Sequence, residues 1–358
     1  MEITFFQGLW FLLIFVLIAG YFVLDGFDLG AGVLYPFVAK NDQEKAVVRR
    51  SIGPVWDGNE VWLLTAGGAL FAAFPAAYAT TFSGFYLAVM LVLFGLIVRA
   101  VSLEYRGHDP QWGKVWDGCF TVGSLLPALL LGVAVGNIYA GIPMDANGDY
   151  AGIPLLGLIT PFTLLCGLLG LTMFLAQGAT WLSLKAPKPS DLQARAAKLR
   201  LPLQIVALAL FAAVSLYGHF GIQPAMDPVL GALRWVFAIL VLAGIGASIF
   251  FALKKQCDLG AFIAQSASAA MLVGLLAASM FPNLVVASAG SVGPAITAMS
   301  AASSELSLMW MTIITCIGLP LVLVYHFIIY RTFRGRVSEE DLAHYYEAFR
   351  FIRSMGGR

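Results

Sequence analysis

Asp25 and Asp28 stand three residues apart inside one apolar run, and Asp57 and Glu60 stand three apart at the opening of the next. Residues at that spacing share a helix face. The stretch joining the two runs is short, so the two helices are expected side by side, with four carboxyl groups facing one another. Arg99, inside a later run, is a candidate counter-charge; its other reading is a side chain that snorkels to the membrane surface. A carboxylate at the middle of a membrane helix costs about 2.5–3.5 kcal/mol, so such a cluster needs partners or water. A carboxyl group held among apolar atoms can exchange a proton near neutral pH. The cluster therefore reads as a polar route for protons. Asp57 has a second reading. Pro54 suits the first position of a helix, and a carboxylate in the following turn favours the helix dipole.

Long apolar helices must hold these groups. Of 358 residues, 60% are hydrophobic and 11% charged, against roughly a quarter charged in soluble domains. The apolar residues come in runs of about twenty, the length that crosses a bilayer core. Spans are expected at roughly 8–36, 54–75, 79–103, 117–137, 155–184, 201–220, 231–253, 259–281 and 306–333. Backbone groups in lipid must be satisfied within each segment, which makes the runs helices. An outer-membrane barrel would alternate in short strands instead. The first and fifth runs exceed the usual length and should tilt or protrude. The expected fold is all-α: a polytopic membrane domain over 1–335 with about nine helices, in two bundles, plus a peripheral helix in a cytoplasmic tail over 336–358. Ser338 before the acidic start of that tail is a candidate helix cap, and the tail is a surface or partner contact.

All but two of the 21 Lys and Arg fall in alternate loops and the tail. Lys40, Lys45, Arg49 and Arg50 follow the first run; Arg106 and Lys114 the third; Lys185 to Arg200 the fifth; Lys254 and Lys255 the seventh. The exceptions are Arg99 and Arg234. Cytoplasmic loops carry the basic excess. The N-terminus is therefore expected outside and the C-terminus inside, which places the acids in the cytoplasmic half. The opening residues lack the basic flank and cleavage site of a signal peptide, so the first span is expected to be retained.

Nucleic-acid binding has no support, because no basic stripe exists outside short loops. Cys119, Cys166, Cys257 and Cys316 form no C-x-x-C pair and read as small packing residues rather than a disulfide or zinc framework. Among the four histidines His219 falls at the outer end of a run and only His326 lies well inside one. A bis-histidine haem needs two at matching depth, so His326 reads as a hydrogen-bonded packing residue and the chain is expected to bind no haem alone. Gly26, Gly30 and Gly32, and likewise Gly67 and Gly68, read as close helix contacts. Trp56, Trp62, Trp112, Trp116, Trp181 and Trp235 lie near predicted span ends, as an aromatic belt does.

The segments GYFVLDGFDLGAGVL (20–34) and SIGPVWDGNEVWLLTAGGALFAAFPAAYATTFSGFYLAVMLVLFGLIVRAVSLEYR (51–106) closely resemble subunit II of cytochrome bd-type quinol oxidases. AQGATWLSLK (176–185), MFPNLVVAS (280–288) and PLVLVYHFIIYRTFRGRVSEEDL (320–342) extend the resemblance to essentially the whole chain. It implies a complex in the bacterial cytoplasmic membrane, with haems b and d and the quinol site in a partner, subunit I, and in some members a small accessory subunit. The complex oxidises quinol, reduces dioxygen to water and separates charge without pumping. The resemblance assigns Asp25 and Asp57 to a hydrophilic proton route and Trp62 to an oxygen access path. Asp28, Arg99 and Trp56 fall in the same matched motifs with less defined roles. Glu60 sits where members vary between Glu and Gln. Some members also hold a structural quinone in this subunit. Without the resemblance, a proton-coupled transporter would rank next, although no second carboxylate cluster matches the first in the later runs. A purely structural membrane scaffold is the third reading.

Overall fold

The computed structural model describes residues 3–109, 111–222, 228–338 and 340–343, with the backbone alone over 228–231. His344 and the tail beyond Ala343 lie outside the described residues. In chain order the helices are α1 (Phe5–Leu24), α2 (Gly26–Val38), α3 (Asp42–Ile52), α4 (Trp56–Ala73), α5 (Pro75–Gly84), α6 (Tyr86–Tyr105), α7 (Gly113–Ala140), α8 (Pro161–Lys185), α9 (Asp191–Tyr217), α10 (Pro228–Leu253), α11 (Asp258–Met280) and α12 (Glu305–Thr332). A small hairpin pairs β1 (Asn283–Val285) with β2 (Ile296–Thr297).

Among the described residues eight stretches are long and apolar enough to cross a membrane, with α1 and α2 counted as one. The chain is a multi-pass, all-α membrane protein. The remaining predicted span, 54–75, is α4, whose Trp56-Asp57-Gly58-Asn59-Glu60 opening leaves it less apolar than the others.

Several boundaries differ from expectation, each for a local reason. The third run is two helices: Pro75 opens α5 at its first turn, and α6 begins only at Tyr86. The fifth run shortens to Pro161–Lys185, because 156–158 form a 3-10 turn before the Thr160 cap. The sixth lengthens, because Ser190 caps α9 with its Oγ accepting from Gln193 N at 3.1 Å. The polar first turns of α9 carry no apolar-run signal. Between the first two spans lies α3, capped by Asn41, with Asp42 and Glu44 in its first turn and Arg49 and Arg50 in its last. That charge order complements the helix dipole. Its Ala46, Val47, Val48 and Ile52 are buried.

The basic loops gather at one end of the molecule. Arg106 pairs with Asp42 at 3.0 Å, Arg195 with Glu44, Arg336 with Asp258 at 2.8 Å and Arg50 with Asp341 at 3.9 Å. Burial opposes the Glu44 charge, but the Lys40 amide and Arg195 outweigh it and hold the carboxyl below its ordinary value. The loops without Lys or Arg meet at the opposite end. Ile142 N donates to Val286 O at 3.0 Å, Thr80 Oγ1 to Gly148 O at 2.8 Å and Ser303 N to Ala73 O at 2.8 Å.

Two glycine contacts bring α2 and α8 together. A Cβ on Gly30 would stand 1.8 Å from the Phe174 carbonyl oxygen, and one on Gly178 2.4 Å from the Gly30 carbonyl carbon. Gly32 lies equally close to Ser124 of α7. Gly67 and Gly68 do not repeat this: a Cβ would meet only Phe82 at 3.8 Å in the first case and nothing within 4 Å in the second. Gly68 lies on a side of α4 that this chain leaves uncovered, and Gly67 at its edge. The tryptophans also divide. Trp112 and Trp235 are exposed, as in a belt, whereas Trp62 and Trp181 are buried core residues.

At the basic end, Asp117 of α7 binds several partners at once. Tyr35 donates to it at 2.7 Å, Lys45 at 2.8 Å and Arg106 at 2.9 Å, and Arg49 lies 3.6 Å away. Removing one member of such a set leaves partly buried like charges unbalanced. Asp117→Ala is expected to destabilise the fold by about 3–5 kcal/mol, read as a lowered thermal unfolding midpoint in detergent.

Candidate functional site: a buried charge cluster between α1, α4 and α6

Regular helix is interrupted at Asp25, the single residue between α1 and α2. Its amide still donates to Tyr21 O at 2.8 Å. Its side chain meets Arg99 of α6 in a two-pronged pair: Nη1 to Oδ2 at 3.0 Å and Nη2 to Oδ1 at 2.7 Å. Both side chains are fully buried. The planar guanidinium matches a carboxylate in this fork geometry, and charge assistance makes such bonds strong. Small residues let the pair form. A Cβ on Gly123 of α7 would stand 2.8 Å from Arg99 N, so α7 lies directly on the backbone of α6 here. Arg99 is thus a buried ion-pair partner and not a snorkelling side chain.

Glu60 of α4 lies 3.6 Å from Arg99, beyond hydrogen-bond distance but within ion-pair range. Asp28, also fully buried, accepts from Asn59 Nδ2 at 2.7 Å through one oxygen. Its other oxygen has no hydrogen-bond partner among the described residues. Tyr330 of α12 donates to Asn59 Oδ1 at 3.1 Å and so ties the last span into the cluster. One guanidinium therefore stands among three carboxyl groups, Asp25 and Asp28 fully buried and Glu60 partly exposed, and only Asp25 is fully paired. A single cation among three acids leaves the group short of positive charge.

Asp57 does not join this group. It lies on the exposed face of α4, and Asn59, which the sequence reading did not single out, occupies the inner face instead. Trp56 is half-buried and packs against the core at the basic end. Trp62 is buried against Tyr21, Leu29 and Phe174, in space that Gly20 leaves open: a Cβ there would stand 2.1 Å from the indole. Its indole N–H donates to His326 Nε2 at 3.2 Å, and His326 Nδ1 faces Val322 O at 2.9 Å. Both ring nitrogens of His326 are engaged inside the fold, so it does not fit a haem ligand's role. Asn59 and Tyr330 leave no signal in the sequence, because the bond between them joins residues 271 positions apart.

At the opposite end, Phe22, Gly136, Tyr139, Cys166, Phe211 and Arg234 help line an apolar cavity of about 190 Å³.

Residues 6–333 match the family model described as cytochrome bd terminal oxidase subunit II. The chain belongs to this family. It is 35% identical to the cytochrome bd-I ubiquinol oxidase subunit 2 of Escherichia coli K12, over 93% of this chain and 96% of that one. It is 37% identical to the cytochrome bd ubiquinol oxidase subunit 2 of Bacillus subtilis 168, over 94% and 98%. A chain of the bd oxidase from Geobacillus thermodenitrificans has the same fold, with a TM-score of 0.75 at 16% identity over 92% of this chain and 99% of that one. As a cytochrome bd subunit II, the chain is a component of a quinol oxidase, an oxidoreductase complex that carries haem and includes a partner subunit.

Proposed function

We propose that this chain is the haem-free subunit II of a bd-type terminal quinol oxidase in a bacterial cytoplasmic membrane. It pairs with a subunit I that carries haems b and d and the quinol site, with room for a small accessory subunit. It crosses the membrane nine times in two bundles, α4 included, with the N-terminus outside and the basic end in the cytoplasm. That count is supported by α4 starting beside the basic loops and ending where Ser303 meets Ala73.

The observation that carries the functional reading is the buried cluster of Asp25, Asp28 and Glu60 around Arg99. Reduction of dioxygen to water consumes protons, and a non-pumping enzyme separates charge by drawing them from the cytoplasm. Asp25 and Arg99 form the fixed part of the route. Asp28 and Glu60 carry the exchangeable protons, and Asp57, on the open face of α4, passes them toward subunit I. The uncovered apolar faces of α4 and α12, including Leu64, Phe71, Ile314 and Phe327, suit a large apolar interface with that subunit. Trp62, wedged beside Gly20 and held by His326, borders the oxygen access path. Trp56 anchors the cytoplasmic start of α4. The cavity at the outer end suits a structural quinone, because it is largely apolar.

Oxygen consumption with quinol as donor, measured beside the haem spectrum, tests this reading. Asp25→Asn and Asp57→Asn are each expected to slow turnover at least about tenfold with the haems still present, whereas Glu60→Gln, the residue some members carry there, should retain most of the activity. Full activity in both aspartate variants would make the chain a scaffold. Loss of the haems would make these residues determinants of assembly.

A further inference from the structure

At the basic end a second cavity, of about 90 Å³, opens between the start of α4 and the ends of α8 and α12. Arg50, Lys185, Arg334 and Arg336 line it, with Asp341 as the carboxylate on its wall. Of the four cations Arg336 is fully occupied and Arg50 only loosely paired. Arg336 donates to the Ser183 and Ala186 carbonyls at 2.8 and 2.7 Å and to Asp258 at 2.8 Å. Arg50 lies 3.9 Å from Asp341.

Lys185 differs from both. It is 8% exposed, donates to the Phe333 carbonyl and stands 4.9 Å from the Trp181 ring centroid, and the Asp341 carboxylate across the cavity acts on it only through space, without a direct ion pair. An ammonium has three donors. One is used by the carbonyl, and a cation withdrawn from water needs an anion to balance it. Arg334 is exposed at the rim. The rest of the wall is apolar, with Val55, Trp181 and Phe333 among the lining side chains. The cavity thus joins a cationic floor to apolar walls at the level where the membrane helices end.

We infer that this cavity binds the phosphate of an anionic phospholipid headgroup from the cytoplasmic leaflet. Its volume admits several waters or one phosphate group, and basic pockets between helices on that side of a membrane suit such headgroups. Lys185 and Arg50 contact the phosphate, Arg334 guards the entrance, and the apolar wall of Val55, Trp181 and Phe333 takes the start of the acyl chains. The site is independent of the proton reading.

Native mass spectrometry of the detergent-purified complex tests this, with phosphatidylglycerol, phosphatidylcholine and inorganic phosphate added in turn. Phosphatidylglycerol is expected to be retained in preference to phosphatidylcholine, and Arg50→Gln and Arg334→Gln should each weaken its retention about fivefold. Asp341→Asn removes the carboxylate that competes with the phosphate and should strengthen retention, a gain that a misfolded variant cannot produce. Equal retention of both lipids, or no response to any of the three substitutions, would overturn the assignment. Displacement of phosphatidylglycerol by inorganic phosphate at equal concentration would assign the site to free phosphate instead.

Discussion

Arg99→Leu is expected to prevent the assembled oxidase from accumulating in the membrane. Asp25 would keep its place at the α1–α2 break, fully buried, but lose both hydrogen bonds from the guanidinium. Glu60 would lose its ion-pair partner at 3.6 Å. Breaking a buried pair by removing one partner costs about 3–5 kcal/mol, because the remaining charge has no compensation. That is a large share of the net stability of a folded domain. The measurement is the haem absorbance and the amount of this chain recovered per unit of membrane. The double variant Asp25→Leu with Arg99→Leu separates structure from chemistry. A buried pair replaced by apolar side chains is often neutral or stabilising, so assembly should recover toward the unaltered level while oxygen consumption stays low. Recovery of both would show that the pair serves only the fold. Recovery of neither would show that the packing around it tolerates no apolar replacement.

Gly30→Val is expected to have a comparably large effect by another route. The first carbon of any side chain there would stand 1.8 Å from the Phe174 carbonyl oxygen. The obstacle is backbone, so no rotamer change relieves it and α2 and α8 must separate. Separation would open the packing of Phe27 and Leu29 in α2 against Phe174 and Trp181 in α8, all of them buried. A loss above about 4 kcal/mol is expected, read as failure to recover folded protein. Gly246→Ala in α10 is the control, because a Cβ there meets nothing within 4 Å. It should be neutral or gain up to about 1 kcal/mol from helix propensity.

The polar groups that matter most were legible in the chain because lipid makes them conspicuous. Asp25, Asp28, Glu60 and Arg99 interrupt apolar runs, and the cost of an ionised group in hydrocarbon implies a partner. The spacing of Asp57 and Glu60, however, predicted a shared inward face, and the fold divides them. Asp57 opens α4 and turns outward, while Asn59 and Glu60 turn in. Three-residue spacing gives neighbours on a helix, but one hundred degrees per residue leaves them at opposite edges of a face, and only the packed neighbours decide which edge is buried. The same limit applies to Trp62 and Trp181, which lie near span ends in the chain yet are covered from the side by α1, α3 and α12.

By itself, then, the sequence determined the membrane, the helices and the end at which the acids lie, because hydrocarbon imposes length, apolarity and loop charge on every span independently of its neighbours. Only the tertiary structure decided which carboxyl Arg99 pairs with directly, that Asn59 and Tyr330 close the cluster, and that Lys185 is enclosed at the basic end of the molecule. Those choices depend on which helix faces meet, and helix contacts between spans hundreds of residues apart are set by close packing at a few glycines rather than by any local pattern.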